Sequence, residues 1–371
     1  MCQGLMTHSR CVKSNTMFSI RIKAGRKAYE QIRDGGFSCD RISAFFAPAA
    51  GPRWLVATGF DLTLLKAGLL GRKKPVQLIG SSSGAWRFAA WVQPEAEKSY
   101  LNLMEAYIRI PYHKDDRAGI VLQNLINVVN SYIEDDALPF ALAHKHYRLA
   151  VLTARVRHLV ASESSWIQSS GLFLCFLMNA LSRSTLDHFT ERVVFYNGPN
   201  PPGFCLKSPF RGRFIQLNRT NFKHAILASG AIPLFVAGIR DIYGAPRGVY
   251  RDGGLVDYHQ TYDFAESDDD MTLFFHHQER IIPGWFDKRL KHRRTPDVLL
   301  DHTLMVFPTE DFVSTLPLGK LPDREDFRSF MDDPATRIRN WQEAVRRSAP
   351  LGEQFFELVE SGKLRSMVER I

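Results

Sequence analysis

Along this chain, short apolar runs alternate with stretches in which hydrophobic residues recur at helical spacing. Ile42-Ser43-Ala44-Phe45-Phe46-Ala47 and Val76-Gln77-Leu78-Ile79 predict buried strands. Between them, from Trp54, the apolar positions Leu55, Phe60, Leu62, Leu64, Leu65 and Leu69 predict a helix, ended by Gly71 and the basic Arg72-Lys73-Lys74. After the second run, Ala85, Trp86, Phe88, Ala89, Ala90 and Trp91 predict another helix. Strand, helix, strand, helix in that order predicts an α/β fold with a mainly parallel sheet covered by helices.

The same reading extends along the chain. Ala24 to Arg33 predicts a short helix stopped by Gly35-Gly36, and Glu95 to Ile110 and Gly119 to Ile133 predict longer ones. Arg148 to His158 alternates apolar and basic residues, as in a strand with one polar face. Val193 to Tyr196, Phe214 to Leu217 and Met271 to His276 predict further strands, and Thr220 to Ala228 a short helix. Trp166 to Leu181 is the most apolar piece; a buried core helix is expected there, with a lid or membrane-contact helix as the alternative. Past Pro317 the chain turns charged and periodic, which predicts two or three amphipathic surface helices. The expected organisation is a polar leader with a short helix (1–36), a main α/β domain (37–316) and a C-terminal helical appendage (317–371).

Composition narrows the class. At 371 residues, 45% apolar and 23% charged, the chain is long enough for a sizeable core. Its net charge of +9 favours acidic partners: anionic membranes, nucleic acid or polyanions. No recognition helix, zinc spacing or RNA-binding aromatic motif supports nucleic acid. Five scattered cysteines without a close pair argue against a disulfide framework or zinc site. Met1 to Asn15 lacks an apolar stretch of signal-peptide length, Met17 offers a second start, and no run is long enough to span a bilayer. A cytoplasmic protein, peripheral on a membrane, is the expectation.

The candidate chemistry centres on Gly80-Ser81-Ser82-Ser83-Gly84, which sits between the second strand and its helix. In such a nucleophile elbow the middle serine, Ser82, is exposed on the turn, and Gly80 and Gly84 admit close backbone approach. A structural turn is the alternative. A serine hydroxyl also needs a base and donors for an oxyanion. The loop Pro48 to Arg53 offers donors around Ala50, Gly51 and Arg53. Asp252, at a predicted strand end before Gly253 and Gly254, is a base if burial raises its pKa, or simply a turn-capping aspartate. A histidine base, from His259, His276 or His277, would instead make a triad.

The small-residue loop ending in Arg53, the elbow, Ala228-Ser229-Gly230-Ala231-Ile232-Pro233 and Asp252-Gly253-Gly254, in that order, resemble the patatin-like phospholipase family. The resemblance runs from about Ile42 to Asp257. It implies a three-layer α/β/α sandwich, a Ser82–Asp252 dyad without histidine, and hydrolysis of lipid acyl esters through an acyl-serine intermediate. No metal or cofactor is implied. The family's oxyanion loop typically carries three glycines, one residue, a basic residue and a further glycine, whereas here it reads Ala49-Ala50-Gly51-Pro52-Arg53-Trp54. Alanine resists the positive φ that glycine allows, so a reshaped hole is expected. Phospholipid or another lipid ester is the expected substrate at an anionic membrane, with Lys288-Arg289, Lys291 to Arg294 and Trp285-Phe286 as candidate contacts. The alternatives are a weak or silent member that binds lipid or a protein partner, and a neutral-lipid or small-ester hydrolase.

Overall fold

The computed structural model describes residues 18–207 and 210–371. Met1 to Asn15 and the second start at Met17 lie outside the described residues.

Ile42–Ala47 and Val76–Ser81 are strands, and their alternate side chains enter two different cores. Phe45 and Leu78 join one, Phe46 and Ile79 the other. This period-two split is the signature of a sheet buried on both faces. In chain order the strands are β1 (Ile20–Ala24), β2 (Ile42–Ala47), β3 (Val76–Ser81), β4 (Tyr147–Val156), β5 (Thr190–Tyr196) and β6 (Arg213–Gln216). They continue with β7 (Ile239–Arg240), β8 (Val249–Asp252), β9 (Met271–Phe275), β10 (Thr303–Pro308) and β11 (Val368–Arg370). The sheet order is β11-β1-β10-β9-β2-β3-β4-β5-β6, with β8 on β4 and β7 on β8. From β10 to β4 all neighbours are parallel; β1–β10, β4–β5 and β4–β8 are antiparallel. The result is a mixed, mostly parallel sheet.

Helix α1 (Arg26–Gly35) follows β1, ending at Gly36. The larger core is roofed by α2 (Thr58–Ala67), α3 (Ser83–Trp91), α4 (Ala96–Ile108) and α5 (Ala118–Tyr132), through residues such as Leu64, Phe88, Leu103 and Val128. The opposite face is covered more thinly. Phe204 of the short helix Gly203–Leu206, with Phe210 and Phe264 from irregular segments, closes it over Phe46, Ile79 and Phe274.

Four departures from the sequence reading have identifiable causes. Ile20–Ala24, within the expected polar leader, is strand β1; its outward Arg21 and Lys23 conceal a short alternating pattern. β4 has no solvent face, because its alternate side chains enter cores on both sides of the sheet, Leu149 and Val151 in one and Ala150 and Leu152 in the other, and Arg155 is paired with Glu191. The helices after Pro317 are not confined to the surface. In helix Pro334–Arg347, Trp341 is buried and the Arg337 guanidinium donates to the carbonyls of Ile108 (3.0 Å) and Ile110 (2.8 Å); in helix Ala349–Glu360, Phe355 enters the main core. Lastly, the expected core helix Ser165–Leu181 keeps much of its apolar surface in solvent, with Trp166 80% and Phe173 63% exposed. Among the described residues no helix is long and apolar enough to cross a membrane.

Candidate catalytic site

β3 ends at Ser81, and Ser82 takes φ 55° and ψ −127° before helix α3 begins at Ser83. A positive φ is uncommon for a residue with a Cβ and holds only where the surroundings impose it. Here they do. A Cβ at Gly80 would stand 2.4 Å from the Ala85 Cα, and one at Gly84 2.1 Å from the Ala47 carbonyl oxygen, so both elbow glycines are demanded by close backbone approach. The Ser82 N–H donates to Ser229 Oγ at 2.9 Å, and Ser229 in turn donates to the Leu152 carbonyl at 2.7 Å. The elbow is thereby fastened to strand β4.

Asp252 closes β8, and its carboxylate is divided between two partners. Oδ2 accepts from Ser82 Oγ at 2.6 Å, while Oδ1 accepts from the Gly254 N–H at 2.7 Å. The two roles considered for this aspartate, turn cap and base, thus fall on different oxygens of one carboxylate. Burial pushes the Asp252 carboxyl above its ordinary value, against the opposing pull of the Ser82 and Gly254 hydrogen bonds and the positive charges of Arg324 and Lys288. A Cβ at Gly253 would stand 2.2 Å from the Leu152 carbonyl oxygen, so that glycine lets the turn press against β4.

The candidate oxyanion loop lies beside the pair. Ala50 (φ −124°) is not left-handed, whereas Gly51 is, at φ 56°. The one glycine kept in this loop therefore occupies the position that needs it, and Ala49 and Ala50 are not held in that strained region. The Ala50 N–H is taken by Ser83 Oγ at 3.2 Å. Gly51 opens a short 3₁₀ helix (Gly51–Ala57), whose first N–H groups have no acceptor within the helix, and it lines both cavities at Ser82. Arg53 instead pairs with Asp323.

Two cavities meet at Ser82, Gly51, Ile232 and Arg324. The larger, about 860 Å³, is walled by Trp86, Tyr107, Leu125, Phe235, Val236 and Phe327. The smaller, about 310 Å³, holds Asp252, Tyr258, Trp285 and Arg324. The Lys288 ammonium lies 4.2 Å from the centre of the Tyr258 ring, and burial, aided by Arg324 and Arg53, lowers its pKa to about 7. Neither Lys288 nor Arg324 has a carboxylate partner among the described residues, and the buried Tyr258 hydroxyl has no hydrogen-bond partner. The larger cavity is mostly apolar, Arg324 stands where the two meet, and the smaller cavity holds Asp252 with Lys288 behind its Tyr258 wall. Arg324 escaped the sequence reading because Pro322-Asp323-Arg324-Glu325 carries no pattern that sets it apart from a solvated turn. Lys288, read as a membrane contact, is half-buried with its ammonium against Tyr258, whose ring lines the smaller cavity.

The three histidines stand apart from this chemistry. His259, His276 and His277 are buried together, and each can bring a ring nitrogen within 4.8 Å of the others, which raises the question of a metal. The Ile282 N–H donates to His259 Nδ1 at 2.9 Å, so a neutral His259 carries its proton on Nε2. That nitrogen faces His276 Nε2 at 3.3 Å and is a donor, not a metal ligand. Burial lowers all three pKa values, that of His276 to about 3. None of them hydrogen-bonds to Ser82 or Asp252, whose own contact is direct. Compared with known protein families the sequence matches none, and no curated protein matches it.

Proposed function

We propose that this protein is a serine acyl hydrolase of the patatin-like type, cleaving lipid acyl esters of the phospholipase A or lysophospholipase class. The observation that carries the reading is the 2.6 Å bond from Ser82 Oγ to Asp252 Oδ2 at the junction of a mostly apolar cavity and a smaller one, with Arg324 where they meet. The acyl chain would occupy the Trp86–Leu125–Phe327 cavity, and the phosphate-bearing leaving group the side of Arg324, Lys288 and Tyr258.

In the proposed reaction Asp252 accepts the Ser82 proton as Oγ attacks the acyl carbonyl carbon. The Gly51 N–H donates to the developing oxyanion. Protonated Asp252 then returns the proton to the departing alcohol as the ester C–O bond breaks, leaving acyl-Ser82. Water, losing a proton to Asp252, attacks the acyl-enzyme; collapse expels Ser82 Oγ, which recovers the proton, and frees the fatty acid. No step requires a metal or cofactor. The three-layer α/β/α arrangement belongs to the same proposal, with the layer over Phe46 and Phe274 thinner than the other. So does a peripheral, cytoplasmic setting against an anionic membrane.

A second reading, a silent lipid-binding member, is favoured by one observation: the Ala50 N–H, a candidate oxyanion donor, is already bound to Ser83. Fatty-acid release from mixed anionic phospholipid vesicles, with a soluble p-nitrophenyl ester in parallel, separates the two. The hydrolase reading expects vesicle turnover that Ser82→Ala and Asp252→Asn both abolish. Turnover of the soluble ester alone would move the assignment to a small-ester hydrolase, and no turnover of either would favour the silent member.

A further inference from the structure

We propose that the outer face of helix Ser165–Leu181, with the basic segment after Trp285, is the surface on which the protein docks to an anionic lipid bilayer. This deepens the reading above by naming the contact surface, and it rests on that reading only for the choice of lipid as partner. The helix buries one face and leaves large apolar side chains on the other. Its two amide residues are anchored inward beside the buried Leu172 and Cys175: Gln168 donates to the carbonyls of Val160 and Ser162, and Asn179 donates to Asp287 Oδ1 at 2.7 Å. Its large apolar residues point outward, with Trp166 80%, Phe173 63%, Leu177 45% and Leu181 81% exposed. Spacings of seven, four and four residues place these four side chains on one side of the helix. The seventeen residues contain no charged side chain. A continuous apolar face of this kind marks an interaction surface.

Continuity and charge identify the partner. Gln168 Oε1 accepts from the Leu234 N–H at 2.6 Å, and Leu234 holds φ 70°, a strained value for leucine. Leu234 and Phe235 are themselves 39% and 38% exposed, and Phe235 lines the apolar cavity that leads to Ser82. The helix is thereby tied to the segment that lines the mouth of the site. At the other end, Arg293 donates to the Asn179 carbonyl at 2.9 Å, tying the helix to the segment in which Arg289, Lys291 and Arg294 are exposed. Apolar side chains set into the acyl boundary, with cations at the phosphate level beside them, fit an anionic bilayer.

The test uses the full chain carrying Ser82→Ala, so that binding is measured without turnover. Its cosedimentation with phosphatidylcholine vesicles, with and without phosphatidylglycerol, is compared with that of the same protein carrying Trp166→Ser, Phe173→Ser and Leu177→Ser. These exposed positions leave the core intact, and unchanged hydrolysis of a soluble ester on the Ser82 background checks the fold. The triple change is expected to weaken partitioning roughly a hundredfold, and Lys291→Glu with Arg294→Glu roughly tenfold, only where phosphatidylglycerol is present. Brominated lipid is expected to quench Trp166. Undiminished partitioning of the triple variant overturns the proposal. So does a dimer that the triple change converts to a monomer with vesicle binding unaltered, which would assign the face to a second copy. Vesicle binding lost in the triple variant of a protein inert on every ester would keep the docking surface and defeat the hydrolase reading.

Discussion

Ser82 Oγ and Asp252 Oδ2 meet at 2.6 Å across 170 positions of sequence because β3 and β8 share one edge of β4. Ser81 pairs with Leu152 and Asp252 with Thr153, so two successive residues of β4 bring the ends of the two strands together. β3 runs parallel to β4 and β8 antiparallel, so Ser82, directly after β3, and Asp252, the last residue of β8, come to the same gap. A rigid central strand thus sets the separation, as a preorganised dyad requires.

Removing either member of the dyad is expected to lower kcat for ester hydrolysis about a thousandfold or more. His259→Gln, His276→Gln and His277→Gln, by contrast, are expected to leave acylation within about tenfold of the parent, since the histidines act only as a buried cluster. Burst kinetics with a chromogenic ester measure both. A histidine variant as inactive as Ser82→Ala, with its thermal transition unchanged, would restore the triad.

The raised pKa of Asp252 has a sign that thermal unfolding can read. The folded protein holds this proton more tightly than the unfolded chain, so its contribution to stability is full below the unfolded pKa and is lost as pH rises through the higher folded value. At neutral pH Asp252→Asn is therefore expected to raise stability, by about 1 kcal/mol. The gain should shrink in acid. Activity has the opposite dependence, rising with pH as Asp252 ionises, and a stabilised, inactive Asp252→Asn variant is the expected outcome.

Ser229 positions Ser82 through the bond to its backbone N–H. Ser229→Ala leaves that buried donor unsatisfied, at a cost of about 1–3 kcal/mol. It also frees the strained Ser82 backbone, so kcat is expected to fall roughly tenfold with KM little changed. Ser229→Thr keeps the hydroxyl and should recover part of the rate. Equal loss in both variants would point to packing alone.

Gly84→Ala probes the close approach of α3 to β2. Its Cβ would meet the Ala47 carbonyl oxygen at 2.1 Å, and neither partner is a flexible side-chain tip. Denaturant melts are expected to show a loss of about 3 kcal/mol or more. The same change at Gly119, where a Cβ meets nothing within 4 Å, should cost nothing.

Lys288, with its pKa lowered to about 7, puts a pH-dependent charge behind the Tyr258 wall of the smaller cavity. As pH rises from 6 to 9 the ammonium is lost, and the ratio of phospholipid to uncharged-ester turnover is expected to fall severalfold, about 5-fold for one charge. Lys288→Met should flatten that dependence while Arg324 keeps a residual preference. A ratio that changes equally in the variant would place the titrating group elsewhere.

Much of this molecule is readable before folding, because local patterns report local structure. The strand Ile42–Ala47, the turn at Gly80 to Gly84 and the Asp252-Gly253-Gly254 corner each depend on a few adjacent residues, and the structure places each where the sequence does. What the sequence could not resolve is what those pieces meet. Whether Asp252 caps its turn or faces Ser82 depended on β4 aligning two strand ends, and the answer is that it does both. The direction of helix Ser165–Leu181 was likewise undecidable, since an apolar run has the same composition whether a core or solvent covers it. Its orientation is decided by tertiary contacts, with Gln168 and Asn179 hydrogen-bonded and Leu172 and Cys175 packed on the inner side. Arg324 reaches the site through the packing of a polar C-terminal segment on the body. Sequence by itself determines elements and turns, whose energetics are short-range; the tertiary structure alone decides which charges lose water and which side chains meet, because both depend on residues far apart in the chain.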